Sequence, residues 1–411
     1  MKNMACHCAA ALLLAALAIP ARAEETGSLV IIGGAARYSD GDIWNRVVQL
    51  AGGQGAKIAV FPTASSDPLK NGSRSVDALC KAGADAFLIP LWVNQAEVDY
   101  KQLVADPALV DRVKQCRGVY FIGGSQERIT QALGSSLSDR TPLLEAIWQV
   151  YRNGGVVAGS SAGAAVMSRM MFRDARSVLG TLQHGVELGK EVGPGLGFLD
   201  PRWFVEQHCL VRGRFGRSLV AMHTLGIQYG VGVDENTAVV VERGHTMSVI
   251  GYKGAIVMDL SQATADPAIK GFNLKNARLT YLDKGDAYDL QTLQLTPAAE
   301  KRSDQTIDPN SESFKPSRDD SLVTSDILGN ETLPDLMSKL IDNKRPEAIG
   351  LAFDAAEARN GPTTGFEFRF YRAADSMGWY TPVSGASAYT VANIHLDIRP
   401  IQIAGPLYNY K

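Results

Sequence analysis

The stretch VVAGSSAGAA, residues 156–165, indicates the fold of this chain more strongly than any other part of the sequence. Its first four residues suit a short buried strand, which runs into the pattern G-x-S-x-G at 159–163 and then into small residues that suit a helix. This order is typical of a nucleophile elbow, whose sharp turn lifts a serine hydroxyl above the edge of a sheet. We therefore predict that Ser161 is a nucleophile. The alternative is a chance match in a chain with 40 glycines, but the position between strand and helix favours the elbow.

Around the elbow, short β-branched runs alternate with longer amphipathic runs. Strand-like runs lie at 28–34, 57–65, 84–91 and 117–124, and helix patterns lie at 42–50, 76–82, 126–133 and 143–151. This alternation is typical of βαβ units, and strands so continuously apolar are covered on both faces. We therefore predict an α/β fold in which a mostly parallel sheet carries helices on both faces.

The pattern changes after about residue 231. Four closely spaced strand-like runs, at 229–234, 237–242, 246–251 and 255–260, predict antiparallel hairpins that complete the sheet. A catalytic domain is predicted over 24–300, and the polar residues 301–322 predict a linker or long surface loop. Beyond it, a helix pattern at 333–341 and strand patterns at 366–372 and 389–398 predict a small C-terminal α+β module over 323–411, whose role is unassigned.

Residues 1–23 have the pattern of a secretory signal peptide. Lys2 precedes an apolar core at 9–19, and Pro20 and the small-residue signature ARA at 21–23 follow it. The apolar core is too short to span a membrane. We expect cleavage after residue 23 and a secreted protein, periplasmic or extracellular, with no membrane association after cleavage.

The composition excludes several classes of protein. The 411 residues include 41 Lys and Arg and 43 Asp and Glu, and the formal net charge of −2 argues against a basic nucleic-acid binder. Cys80, Cys116 and Cys209 remain after cleavage, and none lies in C-x-x-C spacing, which argues against a disulfide scaffold. Because no H-x-x-x-H pattern or clustered His and Asp spacing is present, we expect no metal and no cofactor.

The segment VEQHCLVRGRFGR, residues 205–217, contains the candidate general base for Ser161. His208 follows Glu206 and Gln207 in the chain. Three arginines come after it: Arg212, Arg214 and Arg217. Guanidinium groups this close together repel one another unless anions bind them, so the segment predicts an anion-recognising site. A solvated basic helix face with a satisfied histidine is the alternative.

Two acids, Asp234 and Glu235, end the strand-like run at 229–234. Either carboxylate could orient His208, as the acid of a serine, histidine and acid triad does. Spacing alone does not distinguish them, and an ordinary acidic turn at a strand end is the alternative interpretation.

These motifs together resemble the cyanophycinases, with the aspartyl dipeptidases as more distant relatives in the same serine-peptidase group. The resemblance spans roughly residues 28–290 and preserves the order of the family's motifs. The matching pieces are the glycine turn at 32–34, FIGGSQ at 121–126, GSSAGA at 159–164, Gln207-His208 with the three arginines, and GVDE at 232–235. The chain differs from the family pattern at Glu206, where Asp is usual, and at Ser125, where an acid is usual.

The resemblance implies a flavodoxin-like catalytic domain related to class I glutamine amidotransferases. It implies Ser161 as nucleophile, His208 as base and Glu235 as the carboxylate that orients the base. It also implies an oxyanion hole formed by the N–H groups of Gly124 and Ala162. The substrate-binding residues that it implies are Gln126, Gln207, Arg212, Arg214 and Arg217.

The family's substrate is cyanophycin, a polyaspartate that carries arginine on each β-carboxyl, and its product is the dipeptide β-Asp-Arg. We therefore expect a secreted serine exopeptidase whose partners are cyanophycin or peptides containing β-aspartyl-arginine, with a second copy of the chain as a further candidate partner. The acid expected to bind the substrate's arginine is Glu206. An aspartyl dipeptidase-like enzyme and a catalytically dead anion-binding protein are the alternatives.

Overall fold

The structure is a computed structural model, and it describes residues 26–39, 41–93, 99–138, 140–301, 305–381 and 389–407. The predicted signal peptide at 1–23 lies outside the described residues, as do residues 302–304 of the predicted linker. In the described chain no helix is both long enough and apolar enough to cross a membrane. Cys80, Cys116 and Cys209 are all free thiols.

The described elements are numbered in chain order. The helices are α1 Gly41–Leu50, α2 Pro68–Lys81, α3 Tyr100–Leu103, α4 Pro107–Lys114, α5 Gln126–Leu133, α6 Pro142–Arg152, α7 Ala162–Ala165, α8 Val178–His184, α9 Phe215–Leu225, α10 Thr332–Ile341 and α11 Ala355–Asn360. The strands are β1 Ser28–Ile32, β2 Lys57–Phe61, β3 Asp85–Leu88, β4 Gly118–Phe121, β5 Val156–Ser160, β6 Met170–Phe172, β7 Val192–Pro194, β8 Trp203–Gln207, β9 Tyr229–Val233, β10 Thr237–Glu242, β11 Thr246–Gly251, β12 Ala255–Asp259, β13 Leu274–Leu282, β14 Ala287–Asp289, β15 Leu295–Thr296, β16 Thr306–Ile307, β17 Leu322–Thr324, β18 Glu347–Ala352, β19 Thr363–Tyr371, β20 Met377–Tyr380 and β21 Tyr389–Ile403.

Local sequence explains where several helices begin. Asp67, Asp106 and Thr141 each accept a hydrogen bond from a backbone N–H of the helix that follows, and each precedes a proline at the first helical position. The capping oxygen satisfies an N–H that has no partner within the helix, and proline has no N–H to satisfy. These signals fix the starts of α2, α4 and α6.

A first sheet of nine strands confirms the predicted α/β class. Its order is β15-β14-β11-β10-β1-β5-β4-β2-β3. The five strands from β1 to β3 in this order are parallel, and the remaining strands add antiparallel pairs at the other side. Helices α1 and α2 pack on one face of the sheet and α4, α6 and α7 on the other. Ile32 pairs with Ser160. The carboxyl ends of β1 and β5 therefore meet at one edge.

A second large sheet has the order β17-β18-β19-β21-β13-β12-β9-β8 and is mostly antiparallel. It explains a difference from the predicted hairpins. Strands β10 and β11 do complete the first sheet, but β9 and β12 pair with each other in the second. The apolar pattern of a strand shows that it is buried and does not show which sheet it joins.

The C-terminal residues extend this second sheet. Strand β21 pairs with β13 from Leu274 and Ile398 to Tyr281 and Val391. Helix α10 buries its apolar face in the core that these strands share. Within the predicted linker, β16 pairs with β20. Strands β8, β9, β12 and β13 thus form one continuous sheet with the C-terminal strands β17 to β21.

Candidate active site

Ser161 stands at a strained turn between β5 and α7. Its backbone has φ 54° and ψ −111°, a region that residues with a side chain rarely occupy. The flanking glycines allow the turn, because a Cβ at Gly159 would lie 2.4 Å from the carbonyl oxygen of Gly163, and a Cβ at Gly163 would lie 2.3 Å from that of Phe121. The turn is therefore the sharp, crowded elbow that the motif predicts.

His208 lies between Ser161 and Glu235 and contacts both. Its Nε2 is 2.8 Å from Ser161 Oγ, and its Nδ1 is 2.6 Å from Glu235 Oε1. A carboxylate only accepts hydrogen bonds, so Nδ1 carries the proton and the lone pair of Nε2 faces the serine hydroxyl. This arrangement can take a proton from Ser161 while Glu235 stabilises the resulting imidazolium.

The ends of two parallel strands bring His208 and Glu235 together. Gln207 of β8 pairs with Val233 of β9, so the residues that follow both strands emerge at the same edge. Asp234 is also there, but its Oδ1 accepts a hydrogen bond from the N–H of Val211 at 3.0 Å. Glu235 is thus the acid in contact with His208, and Asp234 holds the neighbouring loop.

The glycine turn after β1 fits closely against His208. The His208 N–H donates to the carbonyl of Gly33 at 2.8 Å. A Cβ on Gly34, whose φ is 128°, would lie 2.2 Å from His208 Cε1. Only glycine leaves room for the ring at this point. The sequence signal for this role was a Gly-Gly pair directly after a buried strand.

Burial and neighbouring charges lower the pKa of His208 below its ordinary value of 6.5. Desolvation is the largest cause, and Arg212 and Arg214 act in the same direction. The hydrogen bond to Glu235 opposes them but does not outweigh them. The imidazole is therefore neutral at neutral pH, as a general base must be.

The two N–H groups expected to form an oxyanion hole lie beside Ser161. Ala162 begins α7, and a Cβ on Gly123, the neighbour of Gly124, would lie 3.1 Å from Ser161 Cβ. In the loops, turns and caps of the described ranges, neither the N–H of Gly124 nor that of Ala162 donates a hydrogen bond to a backbone carbonyl. Both groups are thus available to an oxyanion on the acyl carbon.

Glu206 and Arg217 lie beneath the site in an internal ion pair. They are 1% and 5% exposed. Arg217 donates to both carboxylate oxygens of Glu206, and Ser218 Oγ donates to Oε2. The guanidinium also stacks 4.4 Å from the ring centroid of Phe172. This placement leaves neither side chain facing a ligand, which corrects the expectation that both contact substrate.

The other predicted binding residues are placed differently. Arg212 has a side chain that is 51% exposed and an Nη2 that is 3.5 Å from Glu235 Oε1. Arg214 donates to the carbonyl and to Oε1 of Gln207, at 3.0 and 2.6 Å. Gln126 Nε2 donates to the carbonyl of Phe172 at 2.9 Å. Of the three arginines, Arg212 is therefore the most accessible cation beside the triad.

A pocket of about 250 Å³ lies beside the elbow, and the sequence analysis did not predict it. Gly123 and Ser160 belong to its lining, and the rings of Tyr38, Trp44 and Tyr120 form one wall. Every residue that lines it is uncharged. The described residues include no group of three or more His, Cys, Asp or Glu that could hold a metal ion.

Comparison with known proteins gives the family. Residues 29–249 match Peptidase family S51. The cyanophycinase of Synechococcus elongatus is 31% identical over 277 residues, which cover 66% of this chain and 81% of that protein. The cyanophycinase of Geminocystis herdmanii is 31% identical over 281 residues, which cover 65% and 95%. The solved structure of a peptidase from an acI-B1 Actinobacterium covers 65% of this chain and 98% of its own, at 19% identity and a TM-score of 0.47.

Proposed function

Because this chain belongs to peptidase family S51 and is a serine-type peptidase, we propose that it hydrolyses cyanophycin with Ser161, His208 and Glu235 as its catalytic residues. The observation that carries the proposal is the hydrogen-bonded chain from Ser161 Oγ through His208 to Glu235. The similarity to cyanophycinases supports the substrate.

The proposed reaction runs through an acyl-enzyme. His208 Nε2 takes the proton of Ser161 Oγ as the oxygen attacks an aspartyl carbonyl of the polymer backbone. The N–H groups of Gly124 and Ala162 receive the negative charge on the carbonyl oxygen. His208 then protonates the leaving amine, and water activated by the same imidazole releases the acyl group. The expected soluble product is β-Asp-Arg.

Recognition of the polymer is proposed to use Arg212 and Arg214, whose guanidinium groups suit carboxylates of the polyaspartate. The substrate's own guanidinium needs a partner other than Glu206, because both oxygens of that carboxylate are already bonded. The pocket walled by Tyr38, Trp44 and Tyr120 is a candidate, since aromatic faces attract guanidinium groups.

We also propose that residues 1–23 direct export and that the enzyme acts in the periplasm or outside the cell. The basis is the order of charge, apolar core and small-residue signature in this segment. N-terminal sequencing of protein recovered from the periplasm and the medium is the test. A mature chain that begins at Glu24 is expected, and a chain retained in the cytoplasm with an intact N-terminus would contradict export.

The decisive experiment supplies the purified enzyme with cyanophycin, with polyaspartate that lacks arginine, and with α-aspartyl dipeptides. Cyanophycin should yield a soluble product with the mass of β-Asp-Arg, and plain polyaspartate should be a poor substrate. Ser161→Ala should lower the rate by at least about 1,000-fold. The matched control is Ser73→Ala, at an exposed serine of α2, which should leave the rate unchanged. Cleavage of the dipeptides with none of cyanophycin would instead identify an aspartyl dipeptidase. A wild-type enzyme that cleaves none of these substrates would contradict the proposal.

A further inference from the structure

Residues 327–331 lie directly before α10 and contact the active-site loops from outside the family match. That match ends at residue 249. The loop at 208–214, which we name the arginine loop, joins β8 to α9 and carries His208, Arg212 and Arg214. Segment 327–331 touches this loop and the strand end that carries Glu235.

The first contact is packing of Leu328 on the arginine loop. A Cβ on Gly213, whose φ is 56°, would lie 2.3 Å from the carbonyl oxygen of Leu328. A Cβ on Gly216 would lie 3.2 Å from Leu328 Cδ2. Glycine at both positions therefore lets the backbone around Leu328 lie directly against the loop and the start of α9.

The second contact is a series of ion pairs that begins at Glu331. Glu331 forms an ion pair with Lys253 Nζ, and the same Nζ lies 3.1 Å from Asp234 Oδ2. The other oxygen of Asp234 accepts the N–H of Val211, the residue before Arg212. Asp234 is completely buried, so Lys253 supplies the countercharge that an interior carboxylate needs.

The backbone of Glu331 is in an energetically unfavourable conformation. It precedes the first residue of α10 with φ 58°, a strained region for a residue other than glycine. Its side chain makes no capping hydrogen bond to the helix and contacts Lys253 instead. The surrounding structure thus fixes Glu331 in a conformation that local preferences do not favour.

We propose that Glu331, acting through Lys253 and Asp234, is a positioning residue for the arginine loop and thereby sets the affinity for the carboxylates of the substrate. This inference rests on the proposed function in taking Arg212 as a ligand of the substrate. Burial by itself lowers the pKa of Lys253, but the carboxylates of Glu331 and Asp234 outweigh that cause and raise it. Lys253 therefore stays charged between the two acids. Burial and the Asp234 carboxylate, with which Glu331 shares a hydrogen bond, raise the pKa of Glu331.

The test compares Lys253→Met, Glu331→Gln and the double variant in the full-length enzyme. The matched control is Asp335→Asn, which removes an exposed acid in the first turn of α10 whose ion pair is with Lys339 instead of Lys253. Lys253→Met should raise KM for cyanophycin by about three- to tenfold and leave kcat within about twofold. Glu331→Gln should raise KM by about twofold or more, and Asp335→Asn should leave it unchanged.

Because Glu331 and Lys253 both act on the carboxylate of Asp234, the effects of the two substitutions should not multiply in the double variant. Independent effects that multiply, or a Glu331→Gln enzyme that behaves as Asp335→Asn does, would overturn the inference. If Lys253→Met does not fold, the comparison of Glu331→Gln with Asp335→Asn decides it.

A second readout does not depend on cyanophycin. The rate at which a fluorophosphonate labels Ser161 requires only a neutral His208, whose ring faces Glu235, Arg212 and Arg214. If Arg212 moves away in Glu331→Gln, the pH below which labelling slows should rise, because Arg212 lowers the pKa of His208. An unchanged pH dependence would overturn the inference. A wild-type enzyme that is labelled but leaves cyanophycin intact would contradict only the proposed function.

Discussion

Arg217 binds both carboxylate oxygens of Glu206 inside the protein, with Nε 2.9 Å from Oε2 and Nη2 2.8 Å from Oε1. The pair lies beneath the arginine loop, at the junction of β8 with α9. It therefore removes one cation and one anion from the set that a substrate could contact. The ionic part of recognition falls to groups nearer the surface, above all to Arg212.

The first prediction concerns this buried pair. Arg217→Met should lower the free energy of unfolding by about 3 kcal/mol, because the buried charge of Glu206 would keep only Ser218 Oγ and the more distant Arg214, 3.8 Å away, as partners. The measurement is denaturant unfolding, with Arg212→Met as the control that should change stability by less than about 1 kcal/mol. Equal losses of unfolding free energy from the two variants would contradict a stabilising role for the buried ion pair.

The second prediction separates the two neighbouring acids. Glu235→Gln should lower kcat by about 100-fold or more, because an amide in place of the carboxylate no longer fixes the imidazole tautomer. Asp234→Asn should lower kcat by less than about tenfold and should mainly weaken the hold on the arginine loop, since Asp234 bonds the N–H of Val211. A greater loss of kcat from Asp234→Asn would reverse the two roles.

The third prediction is the acid side of the pH profile. Protonated His208 cannot accept a proton from Ser161, so activity falls as the pH drops through the pKa of His208. Because that pKa is lowered, kcat/KM should be half-maximal below pH 6.5. Arg212→Gln removes a cation that lowers the pKa, so it should move the midpoint to higher pH. A wild-type midpoint above 6.5 would contradict the assigned environment.

The fourth prediction tests the close approach of Gly34 to His208. Gly34→Ala should reduce kcat by about 100-fold, because its Cβ would lie 2.2 Å from Cε1 and displace the ring from Ser161. Gly226→Ala is the matched control, since Gly226 also has positive φ but a Cβ there would have no atom within 4 Å. The control should lose about 1 kcal/mol of stability and keep its kcat. Similar kcat values for both variants would refute a positional role for Gly34.

Much of the fold could be predicted from local sequence patterns. Period and composition predicted the parallel strands, and capping residues with prolines marked helix starts, because these signals act within a few residues. The division of the hairpins between two sheets could not be predicted from these local patterns. Strands β10 and β12 have similar apolar patterns but different partners, and the partner depends on residues far away in the chain.

The sequence by itself determined the chemistry of the candidate site: a serine at an elbow, a histidine after a strand and two acids at a strand end. Spacing left both acids open and the family resemblance implied Glu235, but only the tertiary structure shows which acid contacts the histidine. Consecutive residues at a strand end point in different directions, so Glu235 reaches His208 while Asp234 turns inward to Val211 and Lys253. The tertiary structure also decided the roles of the arginines. Whether a guanidinium can contact substrate or is buried in an internal ion pair depends on the residues that pack around it. Glu206 and the Phe172 ring enclose Arg217, whereas Arg212 stays exposed beside the triad.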